Sequence, residues 1–179
     1  ATSLRVMTSS LYRLRVGWDG EAYTFPMQDE TGKVVGIRRR LPSGKKISVT
    51  GGHEGCFVPT DAIGDMTDVV LVCEGPTDTA AALDAGFPAI GRPNCTGGGK
   101  IIAALLAGRE AVIVADFDGP GKAGSRRLAG ELLSSGIPVR IIYPLSGKDL
   151  RSWHPSSVAL GTVIRCAEYA DRNSVKVLR

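Results

Sequence analysis

After residue 60 the chain alternates short, almost wholly apolar runs rich in β-branched residues with stretches of helical character, and few architectures accept that rhythm. Val69-Val70-Leu71-Val72-Cys73, Ala111-Val112-Ile113-Val114-Ala115 and Val139-Arg140-Ile141-Ile142-Tyr143 are its strongest runs. They lack the in–out alternation of a half-solvated strand, so they predict strands buried on both faces, as parallel strands are. Phe87 to Ile90 predicts a shorter strand of the same kind. Pro76 to Ala85, Lys100 to Ala107 and Lys122 to Ser135 read as helices. Each is followed by a glycine (Gly86, Gly108, Gly136), and the first carries proline in its opening turn. Ser156 to Asp171 reads as a closing amphipathic helix. Together these elements predict an α/β fold with an open, mostly parallel four-stranded sheet flanked by helices.

The first third follows a different rule. Ala22 to Pro26, Lys33 to Arg40 and Lys45 to Thr50 are β-like and separated by Glu30-Thr31-Gly32 and Pro42-Ser43-Gly44. Spacing that short predicts an antiparallel meander. The expected division is a basic, β-rich subdomain over residues 1–60 and the parallel α/β domain over 61–179. Charge follows the same boundary. The net charge is +4, and all of it lies in residues 1–60, because Lys and Arg balance Asp and Glu beyond them. Arg38, Arg40, Lys45 and Lys46 are the candidates to neutralise nucleic-acid phosphates. On a strand Arg38 and Arg40 share one face and Arg39 takes the other. The competing reading is a basic, solvated edge that discourages aggregation.

Composition removes several classes. At 43% hydrophobic and 22% charged the chain is an ordinary globular sequence. No apolar run approaches the ~20 residues of a membrane helix, and Ala1 to Tyr12 lacks a signal-peptide layout. A cytoplasmic protein with no membrane partner is expected. The four cysteines form no Cys-x-x-Cys pair, and the two histidines stand far apart. A zinc ribbon or a histidine-based site is therefore not expected, and a bound metal would need oxygen ligands.

The acids sit where such ligands are needed. Glu74 follows the first apolar run directly, Asp116 follows the third, Asp118 comes two residues later, and Asp149 trails the fourth after Lys148. In an open parallel sheet the carboxyl ends of the strands share one edge, where ligands bind. Carboxylates gathered there repel one another, and a divalent cation relieves the repulsion. Mg²⁺, with Mn²⁺ as the alternative ion, suits phosphoryl or nucleotidyl chemistry at such an edge. The competing reading makes each acid a helix cap.

Glu74-Gly75-Pro76-Thr77-Asp78 after an apolar strand resembles the first motif of the Toprim fold, shared by bacterial-type primases, topoisomerases, small nucleases and recombination proteins. Asp116-Phe117-Asp118-Gly119-Pro120-Gly121 resembles its Asp-x-Asp-x-x-Gly motif, and Lys148-Asp149 resembles the lysine–aspartate step of primases and phage primase-helicases. The resemblance covers roughly residues 66–155. Phe25-Pro26, Gly32 to Arg40 and Gly51 to Pro59 look similar, more loosely, to the basic segment preceding Toprim in phage and plasmid primase-helicases.

The resemblance implies a DNA primase-like nucleotidyltransferase of the DNA-directed RNA polymerase type, acting on single-stranded DNA in replication. Its catalytic residues would be Glu74, Asp116 and Asp118, with Asp78 and Asp149 as further metal ligands. Gly75 and Lys148 would meet the nucleotide. Partners would be single-stranded DNA, nucleoside triphosphates and a replicative helicase. Two alternatives share these residues: a Toprim-type nuclease and a non-catalytic nucleic-acid-binding module. A haloacid-dehalogenase-type phosphatase fits less well, since Pro120 stands where that motif wants Thr or Val. Thr96-Gly97-Gly98-Gly99-Lys100 is either an anion-binding helix start or a plain connection.

Overall fold

Two four-stranded sheets carry the structure, a computed structural model that describes residues 2–61 and 69–171. The first sheet is an antiparallel meander of β1 (Gly17–Trp18), β2 (Tyr23–Gln28), β3 (Val34–Arg40) and β4 (Lys46–Ser48), in that order. A 3-10 turn (Thr2–Leu4) and a short helix, α1 (Thr8–Arg13), precede it. The remaining elements are β5 (Val69–Glu74), α2 (Pro76–Asp84), β6 (Ala89–Arg92), α3 (Gly99–Leu105), β7 (Glu110–Val114), α4 (Gly119–Ser134), β8 (Val139–Ile142), α5 (Leu150–Trp153) and α6 (Ser157–Cys166). The second sheet runs β6-β5-β7-β8 and every pairing in it is parallel. The expected fold class stands: a parallel sheet flanked by helices beside a small antiparallel sheet.

The apolar runs become strands because both faces of the parallel sheet are covered. Leu71, Cys73, Val112 and Val114 pack with α2, with Leu150 of α5, and with Leu160 and Ile164 of α6. Val70, Val72, Ala111, Ile113 and Val139 pack on the other face against Ile102, Leu128 and Leu132 of α3 and α4. Fully burying one such side chain is worth about 1.5–3 kcal/mol, so a polar residue at any of these positions would cost a sizeable fraction of a domain's net stability. Leu4, Val6, Leu11 and Leu14 from the N-terminal turn and helix join Phe25, Met27 and Phe57 in the first of these cores.

One step of the chain joins the two sheets. Cys56 exchanges both main-chain hydrogen bonds with Gln28 of β2 (2.8 Å each way), and Phe57 exchanges both with Gly91 of β6 (2.7 and 2.9 Å). Cys56 and Phe57 are fully buried, so nothing else can satisfy those main-chain groups.

Several boundaries differ from expectation. The first third is β-rich but opens on helix α1, which has no side-chain cap and is held by packing of Leu11. The strand expected at Phe87 to Ile90 lies at Ala89–Arg92, which carries Arg92 to the carboxyl edge. The last helix ends at Cys166 rather than Asp171, because Tyr169 bridges to Arg140 of β8. Two helices begin or exist for local reasons. Asp118 caps α4 by accepting from the Gly121 N–H, so the helix starts at Gly119 with Pro120 in its first turn. Asp149 and Ser152 form a reciprocal capping box that creates α5.

Candidate active site

The strand order locates the site. From β5 the chain crosses to β6 on one side, then returns through α3 to β7 on the other side of β5. The connections leaving β5 and β7 therefore diverge, and the gap between them is a topological switch point, where open α/β sheets bind ligands. Glu74 ends β5, and Asp116 and Asp118 follow β7, so these three acids flank that gap. Gly75 makes the turn possible: its φ of 83° and ψ of 169° lie where side chains are strained. Gly121 has a different reason. A Cβ there would strike the Asp116 main chain and lie 3.0 Å from Asp118 Oδ1, so only glycine lets α4 start against β7.

The two aspartates behave oppositely. Asp116 is mostly buried, and its carboxyl is pushed up to about 7, first by burial and then by the charges of Glu74 and Asp78, against the pull of Lys148. Asp118 is held below the usual carboxylate range by the Gly121 N–H at 2.7 Å and by the Lys148 ammonium. Lys148 Nζ lies 2.9 Å from Asp118 Oδ2 and 3.8 Å from Asp116 Oδ2. Its main chain is pinned on both sides: its carbonyl accepts from the Phe117 N–H at 2.7 Å, and its N–H donates to Ser152 Oγ at 3.0 Å. The loop is held by its main chain, and the ammonium that it carries is exposed.

Asp78 and Asp149 are turned to other work. Asp149 accepts from the Ser152 N–H at 2.7 Å, and Asp78 Oδ1 accepts from the Arg151 N–H at 3.0 Å. Burial, then repulsion from Asp149, pushes Asp78 up to about 6. Among the described residues no three His, Cys, Asp or Glu side chains converge as a ready-made ion cage. The acids share one edge, but Lys148 stands between two of them and the start of α5 holds two more. A hard divalent cation still fits the donor set. The donors are carboxylate oxygens, Asp116 lacks enough neutralising charge, and the Lys148 ammonium already marks where positive charge is favoured.

The basic residues of the first sheet divide by face. Arg38 and Arg40 pair across the sheet with Phe25 and Tyr23 on β2 and with Ser48 and Lys46 on β4, so they share the face that buries Phe25. Arg40 Nη1 donates to Thr77 Oγ1 of α2 at 3.5 Å. Burial, then Arg151, holds Arg40 below its usual range, with Asp78 and Asp149 opposing. Lys46 in turn acts on Asp78. Arg40 and Lys46 therefore face the acidic edge, and the Arg38 Nε is buried without a partner. Lys45 is exposed in the β3–β4 turn. Arg39, on the opposite face, is tied to Asp19 at 2.6 Å and to Glu21 at 3.1 Å.

Sequence reasoning missed Arg92. It lies beside Glu74 in register, is 4% exposed, and donates to the carbonyls of Asn94 and Gly124 at 2.9 and 3.3 Å. A buried guanidinium thus links β6, the following loop and α4 behind the acids. The Gly97-Gly98-Gly99 stretch offers no open anion site. A Cβ at Gly99 would collide with the Glu131 carboxylate, and one at Gly97 would lie 2.8 Å from that of Glu54.

No family model matches the chain, and no curated protein matches it in sequence. Among solved structures it is similar to a DnaG primase catalytic domain bound to single-stranded DNA, with a TM-score of 0.74 and 16% identity, covering 94% of this chain and 70% of that one. The Aquifex aeolicus primase, comprising zinc-binding and RNA polymerase domains, matches with a TM-score of 0.78 and 15% identity over 94% of this chain and 55% of that one. The primase domains of bacteriophage T7 gp4, in a complex with the lagging-strand DNA polymerase, an RNA/DNA hybrid and dTTP, match with a TM-score of 0.71 and 17% identity over 93% and 90%. The fold is that of primase catalytic cores.

Proposed function

We propose that this chain is the catalytic core of a Toprim-type, primase-like nucleotidyltransferase that joins nucleotides on single-stranded DNA. The observation that carries the reading is Asp116: a carboxyl pushed up to about 7 beside Glu74, at the switch point of a primase-core sheet. Similar cores bound to single-stranded DNA and to an RNA/DNA hybrid with dTTP support it.

Glu74, Asp116 and Asp118 would hold a divalent cation, Mg²⁺ or Mn²⁺, with Asp78 and Asp149 behind them. When bound, that ion neutralises charge developing on the transferring phosphoryl group. The chain's own residues do the rest. A hydroxyl attacks the α-phosphorus of a nucleoside triphosphate and pyrophosphate leaves, while a Glu74 oxygen takes the hydroxyl proton. Lys148, swung from the aspartates on its fixed loop, meets the triphosphate, and the open space over Gly75 admits a phosphate close to main chain. Arg38, Arg40, Lys45 and Lys46 hold the template backbone across from the acids. Arg92 positions α4 and the loop after β6. A replicative helicase is the expected larger partner, as in the primase-helicase whose primase fragment shares this fold.

The test is incubation with single-stranded DNA, labelled nucleotides and Mg²⁺. Extended product supports the proposal. Shortened strands would replace it with the nuclease reading, and binding without chemistry with the binding-module reading.

A further inference from the structure

The residue between the two aspartates has no part in holding an ion, yet it is a large apolar ring that is 55% exposed. Burial does not explain Phe117. Its position is nevertheless fixed, because its N–H donates to the Lys148 carbonyl at 2.7 Å. Its ring meets Tyr143 edge-on, with centroids 5.9 Å apart and planes 80° apart. Lys122 Nζ, from the first turns of α4, lies 3.8 Å from the Phe117 centroid and 5.9 Å from that of Tyr143. Lys122 forms no ion pair among the described residues. Leu145, 72% exposed, follows on the same connection as Tyr143. Two rings braced against each other, with a lysine ammonium over the face of Phe117, therefore stand at the rim of the acidic edge.

We propose that Phe117, braced by Tyr143, is a stacking platform for one unpaired nucleobase of a polynucleotide, and that Lys122 takes the phosphate of the same nucleotide. The inference rests on the nucleic-acid reading of the site and adds to it a residue that meets a base. The chemistry is complementary in two parts. An aromatic face accepts any base, since every base has a π-face. A lysine resting on that face is a loosely held cation, which a phosphate withdraws to one side, exposing the ring. A purely apolar partner would leave the ammonium buried and unpaired, which is costly. A bracing ring at 80° holds Phe117 in one orientation, so little rotamer freedom remains to be lost on stacking.

The experiment is equilibrium binding, by fluorescence anisotropy in EDTA, of a short single-stranded DNA and of the same strand made fully abasic. Wild-type protein is expected to prefer the intact strand by about 5- to 150-fold, the range for loss of one base–aromatic stack. Phe117→Ala should bind both strands at the abasic level, Phe117→Trp should keep the preference, and Phe117→Leu, which keeps apolar bulk without a ring face, should lose it. Circular dichroism of each variant checks that the fold is kept. A preference that survives in Phe117→Ala or Phe117→Leu overturns the platform while leaving nucleic-acid binding intact. Wild-type protein that binds neither strand overturns the nucleic-acid reading itself, and the platform with it.

Discussion

Replacing Asp116 with Asn should make the metal-free protein more stable, and only at high pH. In the folded chain the Asp116 carboxyl is pushed up to about 7, against about 3.9 for an ordinary aspartate. A carboxyl whose folded pKa is raised binds its proton more tightly when folded. Stability is therefore lost as pH rises from about 4 to about 7, and the full penalty persists above that. A rise from about 4 to about 7 corresponds to roughly 4 kcal/mol at about 1.36 kcal/mol per tenfold change in proton affinity. The site opens to water and salt, so about half of that, roughly 2 kcal/mol, is the working figure. For a domain of this size each kcal/mol moves the midpoint by about 2–4 °C. In EDTA at pH 8, Asp116→Asn should melt about 4–8 °C above the wild type, and at pH 5 the two should nearly coincide. Mg²⁺ should raise the wild-type midpoint and leave that of the variant unmoved. Equal midpoints at pH 8, or a less stable variant there, would refute the account of Asp116 as an under-neutralised acid. Asp118→Ala is the control with opposite sign: it removes the α4 cap and should lower the midpoint at pH 8.

Three further outcomes are expected. Lys148→Met should tighten Mn²⁺ binding, measured by water-proton relaxation, by up to about fivefold, because a tethered ammonium no longer competes for Asp116 and Asp118; unchanged or weaker binding would place Lys148 outside the site. Arg38→Ala with Lys46→Ala should flatten the salt dependence of single-strand binding by about 0.7 of a log–log unit per lost contact, and an unaltered slope would make that face a solvated edge. Arg140→Ala should lower the midpoint by about 6–12 °C, roughly 3 kcal/mol, because it strands Glu110 beneath Tyr169 and frees the Ile164 carbonyl; a shift under 2 °C would show the Glu110–Arg140 pair to be replaceable by water.

The sheet was legible because Val69–Cys73 and its counterparts are apolar without alternation, and two buried faces are the only common cause of that pattern. The edge shared by Glu74, Asp116 and Asp118 followed from their places after strands. Helix α1 escaped because Thr8–Arg13 has no cap and no periodic stripe; its burial comes from distant partners. The start of α4 was misplaced because Gly119-Pro120-Gly121 reads as a loop until the Asp118 cap is seen. Arg92 and the exposed Phe117 were invisible for the same reason. Whether a guanidinium is buried or a ring exposed depends on what the rest of the chain puts beside it, and local pattern carries no trace of that. Asp149 shows the converse, since the capping role it takes up is one the sequence left open, whereas the bond from Asp78 to the Arg151 N–H joins elements 73 residues apart and leaves no local trace.

The Cys56–Phe57 step, bonded to Gln28 on one side and to Gly91 on the other, has a mechanical meaning. Swinging the antiparallel sheet away from the parallel one would open at least two buried main-chain bonds, either those of Cys56 to Gln28 or those of Phe57 to Gly91. The basic face of the first sheet and the acidic edge of the second are thus held at a set spacing. Under the proposed function, a template strand would pass a stationary frame rather than be gripped by a closing one.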